Sequence, residues 1–133
     1  MNNQKNIVLC GVGGQGTVLA SKLLAAAAMS KDIPVMSAET IGMAQRGGSV
    51  FSHLRMGDNL YSPMIETGTA DLIIGFEPGE TVRMLPYLKD HGHIVVSTRA
   101  VKPVTATLSG SDYDAPQMLE YLSLIHISEP TRQ

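Results

Sequence analysis

The chain has 133 residues, of which 44% are hydrophobic and 17% charged, and its formal net charge is −2. This composition predicts one globular domain with enough apolar residues for a core. It excludes a strongly basic surface, so we expect no nucleic-acid partner. Cys10 is the only cysteine, which excludes an intrachain disulfide and any zinc or iron–sulfur centre held by cysteines of this chain alone.

The amino-terminal residues show no signal-peptide pattern, and the longest apolar run, 18–29, is interrupted by Ser21 and Lys22. We therefore expect a cytoplasmic protein without a membrane-spanning segment.

The predicted elements alternate between strands and helices. In chain order they are strand 6–11, helix 16–32, strand 33–39, strand 49–59, strand 70–76, helix 77–88 and strand 92–98. Residues 6–11 form a continuous apolar run ended by glycine, which indicates a strand buried on both faces. Residues 49–59 alternate apolar and polar side chains and end in a turn, so we expect a hairpin with residues 60–65. Pro86 interrupts the second helix.

This order predicts an α/β fold. The expected architecture is a Rossmann-like three-layer sandwich with a mostly parallel sheet and an inserted loop or hairpin, truncated at the carboxyl terminus.

A glycine-rich loop joins the first strand to the first helix. Gly11, Gly13 and Gly16 fit the G-x-G-x-x-G pattern of dinucleotide-binding loops, and the amino end of the helix attracts anions. That pattern also requires an acidic residue about 20 residues on, around Met36, but Asp32 lies before this position and Glu39 after it. The loop therefore holds either a dinucleotide or a packing turn that can receive another anion.

The polar segment 39–55 follows the carboxyl end of the second strand, where open α/β sheets place their ligands. Gln45 and Arg46 offer planar hydrogen-bonding groups to an anion or to a carboxylate of a partner. Gly47 and Gly48 let another backbone approach closely. We find no catalytic constellation, no metal-ligand spacing among the histidines and no thiamine-binding motif.

Three blocks in this order resemble one family. The blocks "GVGGQGTVLASKLLAAAA", "ETIGMAQRGGSVFSHLR" and "ADLIIGFEPGETVRMLPYL" are similar to the gamma-type domain of 2-oxoacid:ferredoxin oxidoreductases, and in particular to the beta-type subunits of indolepyruvate oxidoreductases. The resemblance covers residues 6–107.

The resemblance implies a reaction shared with other subunits. An aryl 2-oxoacid such as indolepyruvate is oxidatively decarboxylated with coenzyme A (CoA), which yields an acyl-CoA, carbon dioxide and reduced ferredoxin. Thiamine diphosphate, Mg²⁺ and the iron–sulfur clusters belong to a companion alpha subunit. The present chain is then a non-catalytic, heteromeric subunit that contacts ferredoxin only through the complex.

The resemblance also implies two groups of site residues. The possible contacts to a CoA phosphate, or alternatively a packing turn, are Gly11, Gly13, Gly14, Gln15 and Gly16. The residues expected at a subunit interface or at the approach to CoA are Glu39, Thr40, Gln45, Arg46, Gly47, Gly48 and Glu77. Two other functions stay open, a stand-alone NAD-dependent dehydrogenase and a non-enzymatic scaffold module.

The final residues depart from the family pattern. Residues 122–133, "LSLIHISEPTRQ", resemble the translation of a transposase-type sequencing adapter. We therefore expect residues 1–121 to be the gamma-type domain, shortened at its end, and 122–133 to be foreign to it.

Overall fold

The computed structural model describes residues 4–41, 48–98 and 131–132. The elements are β1 (Lys5–Val12), α1 (Thr17–Ser30), β2 (Val35–Ile41), β3 (Ser49–Met56), β4 (Ala70–Gly75), α2 (Pro78–Arg83), a 3-10 turn (Leu85–Tyr87), β5 (Leu88–Val96) and β6 (Thr131–Arg132). One sheet contains the described strands in the order β2-β3-β1-β4-β5-β6. The predicted α/β class is confirmed.

The sheet is mixed because β3 runs opposite to its two neighbours. β3 pairs antiparallel with both β1 and β2, whereas β1, β4, β5 and β6 form consecutive parallel pairs. The two helices cover different faces. α1 packs on β1, β2 and β3, while α2 packs on β1 and β4.

The expected hairpin between residues 49–59 and 60–65 is wrong. Both edges of β3 are already paired with β1 and β2, so no edge is left for a third strand. Side chains of β3 hold the following segment instead. His53 Nδ1 accepts a hydrogen bond from the backbone N–H of Ile65, and Arg55 donates to the carbonyl of Ser62.

The core lies between the sheet and α2. Its buried side chains include Val8 and Cys10 of β1 and Ile73 of β4, and Met84 after α2 packs against them. Leu9 and Leu54 are also fully buried. Neighbouring strand residues point to opposite faces, so Leu9 lies on the α1 side of the sheet while Val8 lies on the α2 side.

The second helix is short, as Pro86 predicts. α2 ends at Arg83, and Pro86 lies in the 3-10 turn that follows. β5 begins at Leu88, four residues before the predicted start, and its register with β4 shifts between Ala70 and Leu72. A Cβ at Gly92 would lie 2.6 Å from Leu88 Cδ1, so glycine permits this irregular start.

Thr131 and Arg132 pair in parallel with the end of β5. The rest of segment 122–133 lies outside the described residues, and its foreign origin stays a prediction. Within the described part of the chain, no helix is long and apolar enough to cross a membrane.

Candidate functional site

The three sequence blocks meet at one edge of the sheet. The N–H of Gly13 in the glycine loop donates to the carbonyl of Gly48 at 2.7 Å, just before β3. The N–H of Phe76 donates to the carbonyl of Cys10 at 2.8 Å, which joins the ends of β1 and β4. Because β3 runs antiparallel, its amino end lies beside the carboxyl ends of these two strands. Segments that are distant in sequence thus form a single site.

Gln15 links two of these segments through its side chain. Its Oε1 accepts a hydrogen bond from the N–H of Val12 at 2.7 Å, and its Nε2 donates to the carbonyl of Phe76 at 3.2 Å. Both ends of the amide are therefore bonded inside the protein. In this structure Gln15 holds the loop against β4, which fits the packing-turn alternative, and its contact to a CoA phosphate stays a prediction.

The glycines of the loop have two different roles. Gly14 and Gly16 have φ values of 93° and 90°, the left-handed region that L side chains rarely adopt. At Gly11 glycine is required because there is no room for a side chain. A Cβ there would lie 2.7 Å from Gln15 Oε1 and 2.8 Å from Thr17 Oγ1. The first glycine therefore allows the loop to fold tightly onto β1.

A cleft of about 280 Å³ lies against the loop and the first turn of α1. Its lining residues are Val12, Gly13, Gly14, Gly16, Thr17, Val18, Leu19 and Val50. Gly16 is the N-cap of α1, so no side chain caps this helix. Thr17 is only 3% exposed, and its Oγ1 has no hydrogen-bond partner in the described part of the chain. The uncapped amino end of the helix suits an anionic ligand, whereas the orphaned hydroxyl is itself buried beside Gly11.

The arrangement is unfavourable for a dinucleotide. In that fold the second strand lies next to the first, so its terminal acid reaches the ribose. Here β3 lies between β1 and β2. Two strand spacings of roughly 4.8 Å separate β1 from β2, which moves Glu39 away from the glycine loop. The packing or anion-binding interpretation of the loop is therefore favoured.

Glu77 is buried as part of the fold. Its side chain is 0% exposed, and its Oε1 accepts the N–H of Glu80 at 2.9 Å, which caps the amino end of α2. Thr81 in this helix donates from its hydroxyl to the carbonyl of Glu77. The structure thus gives Glu77 a structural role, and its expected role at an interface or at the approach to CoA stays a prediction. Its carboxylate stabilises α2 from within the protein.

The remaining candidates fall in three places. Glu39 and Thr40 are exposed on the edge strand β2, and Gly48 is buried against the glycine loop. Gln45, Arg46 and Gly47 lie outside the described residues.

The described residues offer little for covalent or metal chemistry. Burial raises the pKa of Cys10 to about 12, so its thiol stays protonated and poorly nucleophilic at neutral pH. In the described ranges no group of three or more His, Cys, Asp or Glu side chains could hold a metal ion. Sequence reasoning missed Thr17, although its position directly after the last loop glycine was a usable signal.

Comparison with known proteins identifies the family. Residues 6–125 match the pyruvate ferredoxin/flavodoxin oxidoreductase family. The chain belongs to this family. It is 40% identical over 120 residues to indolepyruvate oxidoreductase subunit IorB of Methanothermobacter thermautotrophicus, and this match covers 90% of the chain and 60% of that protein. The resemblance expected from the three blocks is therefore confirmed.

Solved structures share the fold. Pyruvate oxidoreductase subunit PORC of Thermotoga maritima matches with a TM-score of 0.57 and 22% identity, over 81% of this chain and 56% of that one. The 2-oxoglutarate:ferredoxin oxidoreductase of Magnetococcus marinus matches with a TM-score of 0.64 and 17% identity, over 92% of this chain and 24% of that one. The chain thus spans only part of the length of each relative.

Proposed function

We propose that this family member is a non-catalytic subunit of a thiamine-dependent 2-oxoacid:ferredoxin oxidoreductase. The proposed reaction is the oxidative decarboxylation of an aryl 2-oxoacid, of which indolepyruvate is the leading candidate, with CoA as co-substrate. The observation that carries the proposal is the convergence of the three family blocks at one sheet edge, together with the 40% identity to IorB.

The proposal assigns the redox chemistry to a companion subunit. Iron–sulfur clusters are held mainly by several cysteine thiolates, and this chain has one cysteine, which is buried. As the family resemblance implies, the proposal places thiamine diphosphate, Mg²⁺ and the clusters on a companion alpha subunit, which passes electrons to ferredoxin. The complex works in the cytoplasm.

The glycine-loop cleft is the proposed approach for the CoA phosphates. Helix α1 has 14 residues, and its amino end has a partial positive charge that attracts phosphate. The Thr17 hydroxyl supplies a hydrogen bond that has no other use among the described residues. None of the lining residues of the cleft is a Lys or Arg. We therefore assign charge neutralisation to Arg46, which the sequence places just before Gly48.

The function is tested by co-expressing the chain with its proposed companion subunit. Purified complex is assayed for CoA-dependent dye reduction with indolepyruvate, pyruvate, 2-ketoisovalerate and 2-oxoglutarate. Turnover of at least one acid, with indolepyruvate preferred, is the expected result. Turnover by the single chain without the companion would contradict the proposed division of labour.

The CoA contact is tested with Thr17→Val, which removes the hydroxyl at nearly constant volume. Loss of one hydrogen bond to a charged group weakens binding by about 1.5–3 kcal/mol, so the KM for CoA rises roughly 10-fold or more while kcat is unchanged. Pantetheine lacks the phosphates and serves as the matched substrate, for which the KM stays constant. Arg46→Ala follows the same pattern. An unchanged KM for CoA in both variants would refute the assignment.

A further inference from the structure

Arg83, the last residue of α2, is bonded to the first residue of β3. Its Nη1 donates a hydrogen bond to Ser49 Oγ at 2.8 Å, and the same nitrogen lies 3.5 Å from Oε1 of Glu80 in an ion pair. One atom thus joins a carboxylate of α2 to the start of β3, although 34 residues separate Ser49 from Arg83 in the sequence.

Glu80 holds the Arg83 guanidinium in one place. The side chain of Glu80 is 4% exposed, whereas that of Arg83 is 61% exposed. A buried carboxylate is costly without a charged or hydrogen-bonded partner, so Glu80 retains its arginine. The N–H of Glu80 is in turn bonded to Glu77 Oε1 at 2.9 Å, which fixes this turn of the helix. An ion pair with an exposed partner adds little to stability, and its consequence here is the direction that it gives to Arg83.

Ser49 lies where β3 meets the glycine loop. It pairs with Val12, the last residue of β1, and the carbonyl of Gly48 before it accepts a hydrogen bond from the glycine loop. Val50, the next residue, lines the glycine-loop cleft. Successive side chains of a strand point to opposite faces, so Ser49 is turned toward α2 while Val50 is turned toward the cleft. Arg83 therefore holds, from the α2 side, the strand end whose other face is a wall of the cleft.

The Arg83–Ser49 bond closes a ring of contacts around the site. Gln15 ties the glycine loop to the carbonyl of Phe76 at the end of β4, just before α2. Arg83 leads back from the end of α2 to Ser49, and the residue before Ser49 is bonded to the glycine loop. Of these three links, the one made by Arg83 is exposed and joins two side chains. It can therefore be removed by substitution without disturbing the core.

We propose that Arg83 is a positioning residue of the glycine-loop cleft. Through Ser49 it fixes the amino end of β3, and with it Val50 and the glycine loop, in the arrangement that receives CoA. Arg83 acts through this bond and does not itself contact CoA. The inference rests on the proposed function, in which the cleft is the approach of the CoA phosphates. It adds a residue on the opposite side of the sheet that controls the affinity for CoA.

The test measures steady-state kinetics of the full chain in complex with its companion subunit. Ser49→Ala removes the acceptor but leaves the Arg83–Glu80 pair, and Arg83→Gln removes the charge that both contacts use. A strand end that loses this hydrogen bond is less ordered, so we expect the KM for CoA to rise about three- to tenfold in each variant while kcat is unchanged. The KM for the 2-oxoacid stays constant. The double variant is no worse than the poorer single variant, because both substitutions break the same bond.

Two further variants separate positioning from a general loss of stability. Arg83→Lys keeps a charged nitrogen, and because a single nitrogen of Arg83 makes both contacts, it brings the KM for CoA back toward the wild-type value. Lys89→Gln is the matched control. It breaks another ion pair of an exposed side chain, with Asp71, where β4 and β5 begin at the opposite edge of the sheet, and it leaves the KM for CoA unchanged.

The outcomes separate the positioning role from the function. A wild-type KM for CoA in both Ser49→Ala and Arg83→Gln overturns the inference and leaves the proposed function standing. Additive increases in the double variant, or a fall in kcat at constant KM, also overturn it. Ser49→Ala changes no charge and keeps the test decisive if Arg83→Gln does not fold. Absence of CoA-dependent turnover in the wild-type complex overturns both the inference and the proposed function.

Discussion

His53 lies in the middle of β3 with a side chain that is 0% exposed. Its Nδ1 accepts a hydrogen bond from the N–H of Ile65 at 3.0 Å, which fixes the proton of the neutral ring on Nε2. The ring contacts Tyr87 edge-on at 5.3 Å and Phe51 at 5.5 Å between centroids. Protonation of Nδ1 would place two N–H donors against each other, so acid breaks this contact.

Burial lowers the pKa of His53 below its ordinary value of about 6.5. The folded protein therefore binds fewer protons than the unfolded chain below that pH, and the free energy of unfolding falls as the pH decreases. The stability that the neutral His53 ring contributes is fully present above pH 6.5. It decreases as the pH falls from 6.5 toward the lower pKa of the folded state, and it decreases no further below that pKa. One proton gives a slope of at most about 1.4 kcal/mol per pH unit, and therefore a loss of at most about 1 kcal/mol between pH 6.5 and 5.5.

The assay is urea unfolding of the wild type and His53→Asn at pH 7.5, 6.5 and 5.5. Asparagine keeps an oxygen acceptor near the position of Nδ1 but does not titrate. We expect the wild type to lose more stability than the variant between pH 6.5 and 5.5, by at most about 1 kcal/mol. All other histidines are the same in both proteins, so the comparison isolates His53. Parallel pH dependences would refute the reasoning.

Two further substitutions test the packing of the site by urea denaturation. A Cβ at Gly75 would overlap the hydroxyl of Thr81, so Gly75→Ala destabilises the fold by about 1–3 kcal/mol, and adding Thr81→Ala restores part of this loss. Purely additive effects in this double-mutant cycle would contradict the overlap. Gln15→Ala removes both side-chain hydrogen bonds of the loop and costs about 1–3 kcal/mol, and Gln15→Glu also destabilises the loop, because it keeps the acceptor for Val12 but turns a carboxylate oxygen toward the carbonyl of Phe76. Wild-type stability of Gln15→Ala would show that the amide does not brace the loop.

Local sequence determined the elements and the family. The apolar run before Gly11 and the alanine-rich segment after Gly16 predict β1 and α1, because buried parallel strands and helices have distinct patterns over short windows. Pro86 correctly predicts the end of α2, since proline has no N–H for a helical hydrogen bond. The three motif blocks were sufficient to indicate the family, which the comparisons confirm.

Two features could be seen only in the tertiary structure: which strands pair with each other, and which polar side chains form hydrogen bonds inside the protein. The alternation in β3 indicates a strand but does not specify its neighbours, and insertion of β3 between β1 and β2 is what separates Glu39 from the glycine loop. Glu77 and Gln15 are polar residues that look suited to a ligand, yet each is bonded within the protein. The physical reason is that hydrogen bonds between residues far apart in sequence, such as Gln15 to Phe76, exist only once the sheet has brought their strands together.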